Sequence, residues 1–63
     1  MIARTYTTEF GSATVETYVQ RWRSGHTKTA TRVVFADGTD VKFMDRIPAR
    51  MAIPQAVAVR GAS

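Results

Sequence analysis

The stretch GSATVETYVQRWRSGHTKTATRVVFADG, residues 11–38, decides how this chain is read. Gly11-Ser12, Ser24-Gly25 and Asp37-Gly38 recur in it, each starting 13 residues after the last. The two segments they enclose are dense in Thr, Val, Tyr, Phe and Trp, which suit a pleated, half-buried surface. Evenly spaced turn signals between such runs predict consecutive antiparallel strands.

Reading each pair as a two-residue hairpin loop, for which glycine-containing pairs are favoured, fixes the registers. Phe10 then pairs with Ala13, Arg23 with His26, and Ala36 with Thr39. Side chains alternate along a strand, so these registers assign every face. One side collects Ile2, Tyr6, Phe10, Val15, Val19, Val34, Val41 and Phe43. The other collects mostly Thr, Glu, Gln, Asp and Lys, and among them Tyr18, Trp22, Val33, Phe35 and Met44. Arg4 and Arg32 fall on the apolar side against the pattern. An arginine can lay its stem on aromatic surface and send its head to the rim. A longer third loop is the other explanation.

Working outward, the C-terminal stretch loses alternation and becomes rich in Ala. Asp45 can cap a helix start, Pro48 suits a first turn, and Gly61 suits a stop. Pro54 predicts a kink or two short helical turns. Ile47, Met51, Ile53 and Val57 are expected to cover the apolar side, because a single sheet with one apolar face needs a lid. The expectation is an α+β fold in one domain, residues 1–63. A four-stranded antiparallel β-meander occupies about 2–10, 13–23, 27–36 and 39–44, with a short, Pro-interrupted helix over about 46–60 packed on one face. The rival is β-α-β-β-α. Val15, Tyr18, Val19 and Trp22 lie at helical spacing, with Ser12 and Gly25 as possible caps. The density of β-branched residues from Thr14 to Val19 favours the strand.

Composition narrows the function classes. Nine Lys and Arg against five Asp and Glu give a net charge of +4, which favours anionic partners. The chain has no Cys, so disulfides and thiolate metal sites are excluded. No apolar run approaches the length of a membrane span, and the N-terminus lacks a signal-peptide core. The reading is of a complete small cytoplasmic protein with no membrane partner. Catalysis finds no support. His26 is the only histidine and has no nearby acid to orient it. No glycine-rich phosphate loop and no metal-ligand spacing occur, so no cofactor and no metal are expected.

Binding chemistry is concentrated around the second turn. From Thr17 to Ala36 there is no acidic residue, yet Arg21, Arg23, His26, Lys28 and Arg32 all lie there. Arg4 and Arg46 are expected towards the same end, with Glu9, Asp37 and Asp40 at the other. Trp22 stands between two arginines, and Tyr18 lies on the same face. Aromatics beside arginines on an open sheet are a common way to hold single-stranded nucleic acid. The candidate contact residues are therefore Arg21, Arg23, Lys28, Arg32, Trp22, Tyr18 and His26. The first expected function is a non-enzymatic nucleic-acid-binding module. The second is a protein inhibitor or adaptor of viral or mobile-element type, docking on an acidic surface of a host nucleic-acid-handling or defence complex. The third is a structural subunit of an assembly. A homodimer through strand edges or the aromatic face is also expected.

Overall fold

Left-handed backbone at Gly11, Gly25 and Gly38 sets the geometry of all three hairpins, with φ of 91°, 90° and 93°. In the second turn the Gly25 amide donates to the Trp22 carbonyl at 2.9 Å, and the Trp22 amide donates to the His26 carbonyl at 2.9 Å. The third turn repeats this, Gly38 to Phe35 at 3.0 Å and Phe35 to Thr39 at 2.8 Å. Both loops therefore hold three residues, a turn closed by a left-handed glycine that opens a bulge.

A computed structural model describes residues 3–62. It contains β1 (Arg4–Thr8), β2 (Gly11–Arg21), β3 (Thr27–Phe35), β4 (Asp40–Phe43) and α1 (Ala49–Ala62). The strands form one antiparallel sheet in the order β1-β2-β3-β4, and the helix packs against β2, β3 and β4. This is the expected α+β meander, and residues 12–21 are strand rather than helix. Ile2, expected on the apolar face, lies outside the described residues.

The registers correct the expected ones. In the first hairpin Thr8 pairs with Gly11, so Glu9-Phe10 form the loop and Tyr6 faces Ala13. The Thr8 hydroxyl accepts from the Phe10 amide at 3.1 Å and donates to the Gly11 carbonyl at 2.8 Å. That side-chain bridge draws the turn one step ahead of its glycine. The shift is even, so β1 keeps its faces. The three-residue second and third loops instead move β3 by one residue against both neighbours. Ala13 pairs with Phe35, Val15 with Val33, and Val33 with Val41. A one-residue slip turns a strand over. Val33 and Phe35 therefore enter the core, whereas Val34 and Arg32 face away from the helix.

The core consists of Ala13, Val33, Phe35, Ala52 and Ala56, ringed by Phe10, Val15, Val41, Phe43, Ile47, Ile53 and Val57. Ala52 and Ala56 stand one helical turn apart and let the helix approach the sheet closely. Met51, expected in the lid, is 46% exposed. Two further expectations at the helix differ. Pro48 precedes the first turn, its carbonyl accepting from Met51 and Ala52 at 2.9 Å, and Asp45 is paired with Lys28 instead of capping. The helix also runs through Pro54 as one 14-residue segment. Pro54 is exposed, and its missing amide leaves the Arg50 carbonyl without its helical donor.

Candidate nucleic-acid interface

Strand lengths make the interface. β1 pairs with β2 only as far as Val15, and β4 pairs with β3 only as far as Thr31. From Tyr18 and Ala30 outward, β2 and β3 have no other described strand beside them and continue through Arg21 and Thr27 as a two-stranded ribbon. The helix does not cover it, and Val19 on the helix side is 53% exposed. All side chains of this ribbon and its loop are neutral or cationic.

Four of the seven expected contact residues converge at its tip. Arg21, Trp22, Arg23 and His26 are all exposed. The Trp22 and His26 rings lie 5.3 Å apart at 40°, clasping the turn above their backbone bond. Neither Arg21 nor Arg23 is in an ion pair with a described residue. The tip thus combines two uncompensated guanidinium groups with exposed ring surface.

The other three have structural partners. Lys28 reaches back to Asp45 at 2.6 Å and ties the outer part of the ribbon to the β4–α1 loop. Arg32 is held by Glu16, its cross-strand partner, at 2.5 Å, which raises the guanidinium pKa further. Tyr18 is half-buried and crosses Ala30 on the face away from the helix. Its hydroxyl approaches the Phe43 carbonyl at 3.5 Å, long for a hydrogen bond. The mixed aromatic patch of Tyr18, Trp22, Val33, Phe35 and Met44 does not exist as one surface, because Val33 and Phe35 lie in the core.

Two groupings were not legible in the sequence. At the opposite end, Arg60 of α1 is gripped by Asp37 of the third turn, with Nη1 at 3.1 Å from Oδ1 and Nη2 on Oδ2. Its guanidinium carbon sits 4.6 Å from the Phe10 ring centre and 4.8 Å from that of Phe35, two rings packed edge to face at 6.1 Å. The Arg60 bonds, then those from Thr39, hold the Asp37 carboxyl far below the usual carboxylate range. The second grouping is a groove of about 420 Å³ on the helix side of the sheet, to which Arg4 and Arg46 both contribute. Only its arginines carried a signal, as cations expected near the ribbon's end of the sheet.

Among the described residues there is no cluster of His, Asp and Glu able to hold a metal ion, and no helix long and apolar enough to cross a membrane. No family model, curated protein or solved structure matches this chain.

Proposed function

We propose that this chain is a non-enzymatic, cytoplasmic binding module that grips nucleic acid with its β2–β3 ribbon. The observation that carries the reading is the acid-free ribbon projecting past its neighbours with Arg21, Arg23, Trp22 and His26 at its tip. Two strands are narrow enough to enter a groove, and ring surface beside cations suits unpaired bases next to phosphates. The test is titration of a labelled oligonucleotide with the intact chain and with an Arg21→Glu, Arg23→Glu variant, the fold of each checked by circular dichroism. Binding lost in the variant, with the spectrum unchanged, supports the reading. Equal binding by both proteins moves the interface elsewhere.

A second reading is favoured by the ribbon's edges. Between Thr17 and Arg21 on one side, and Thr27 and Ala30 on the other, no described strand pairs with them. Such edges can add a strand from a partner protein, and an acidic partner would suit the flanking charge. An inhibitor or adaptor docking in this way would be captured from lysate equally well after nuclease treatment. A nucleic-acid-dependent capture would not survive it.

A further inference from the structure

Arg4, at the start of β1, and Arg46, in the loop before α1, line the same groove. Its volume of about 420 Å³ falls within the range of small-molecule sites. No carboxylate lines it. The two acids nearest in sequence or register are already engaged, Glu16 by Arg32 and Asp45 by Lys28. Two guanidinium groups thus share one concavity with no counter-charge among the described residues. Tyr6, Val15 and Ile47 supply apolar wall, and Tyr6 is the only aromatic among the described residues that line it.

The groove is built rather than incidental. The buried Thr31 hydroxyl accepts from the Ile47 amide at 3.0 Å and lies 3.4 Å from the Ile47 carbonyl. That pins the loop carrying Arg46 to the middle of β3. The groove is also continuous with the ribbon. Thr17 lines it, and the next residues outward on the same face are Val19 and then Arg21, which face Thr29 and Thr27. Four residues at about 3.4 Å each separate Thr17 from Arg21, a track of about 14 Å without an acidic side chain.

We infer that this groove receives one unpaired nucleotide of a nucleic-acid strand, its phosphate between Arg4 and Arg46 and its base against Tyr6 and Ile47. The inference rests on the nucleic-acid reading above and narrows it to unpaired strands. Arginine forks suit phosphate oxygens, and a base stacks on an aromatic ring whatever its identity. A base held in a duplex cannot enter without being flipped out of its stack.

The experiment compares a short labelled oligothymidylate with a duplex of the same strand, using four proteins: the intact chain, Arg4→Gln with Arg46→Gln, Arg4→Lys with Arg46→Lys, and Arg21→Glu with Arg23→Glu. The groove variant should lose about tenfold or more in affinity for the single strand and change little on the duplex. Restoring charge without the fork, as Arg4→Lys with Arg46→Lys, should recover only part of that loss. If the groove variant weakens both ligands equally, its arginines act only as general charge and the groove assignment fails. If it binds the single strand as well as the intact chain while the tip variant does not, the groove fails and the ribbon reading stands. No binding of either oligonucleotide by the intact chain overturns both.

Discussion

Thr31 shows how much one hydroxyl can organise in a domain this small. It is 2% exposed, it faces the helix side because β3 is turned over, and its oxygen meets the Ile47 amide. Thr31→Val keeps the shape and leaves that amide without a partner. The expected cost is about 1–3 kcal/mol, read from urea denaturation, and a neutral result would show that the loop satisfies its amide elsewhere. Asp37 makes a different case. Its ordinary pKa of 3.8 is lowered on folding, first by the Arg60 bonds and then by those from Thr39. A lowered carboxyl pKa contributes stability that is complete above the unfolded value and fades as pH falls through the folded one. Asp37→Asn should therefore be less stable than the parent at neutral pH, with the gap closing progressively in acid below about pH 4. Because the carboxylate is half-exposed, added salt should narrow the gap too. Denaturation midpoints across pH check this, and a gap that widens in acid would contradict the assignment.

At the scale of elements, the meander, its strand order and the C-terminal helix follow from turn spacing and from the change of composition near residue 45. Glycine-containing turn pairs mark where a chain reverses. They do not say whether a loop holds two residues or three, and that single residue decides which side of β3 is inside. Val33-Val34 is apolar in both registers, so side-chain pattern alone does not settle the choice at that point. Arg32 was the legible warning. It stood on an apolar face under two-residue loops, and with three-residue loops it faces Glu16. The tip residues were legible because their position does not depend on register. The groove was not, since it needs β1, the middle of β2 and β3, and the β4–α1 loop placed together. Gly38→Ala tests the loop geometry directly. A Cβ there would meet no atom within 4 Å, so the cost is confined to a backbone at φ +93°. That strain is worth about 1–2 kcal/mol, seen as a lower melting temperature. A stabilised variant would mean that the third hairpin does not carry its glycine in the left-handed region.

The whole molecule is an elongated body of 39 × 27 × 20 Å with its charge sorted along the ribbon axis. Glu16, Asp37 and Asp45 are matched with Arg32, Arg60 and Lys28. The remaining acids, Glu9 and Asp40, belong to the end formed by the first and third turns, while Arg21 and Arg23 mark the other end and Arg4 and Arg46 the groove between. The homodimer expected from the sequence loses its continuous aromatic face, because Val33 and Phe35 lie in the core, while the strand edges remain open to it. The charge layout gives a sharper expectation for nucleic acid. If Arg21 and Arg23 each neutralise a phosphate of an unpaired strand and Arg4 and Arg46 share a third, three contacts at about 0.7 each predict a log–log salt slope of about −2. Replacing Arg4 and Arg46 by Gln should lower that slope by about a third, and reversing Arg21 and Arg23 should lower it further. Affinity measured across a series of salt concentrations supplies the slope. A value near zero would mean that recognition is not through phosphates, leaving the unpaired ribbon edges as the surface to pursue.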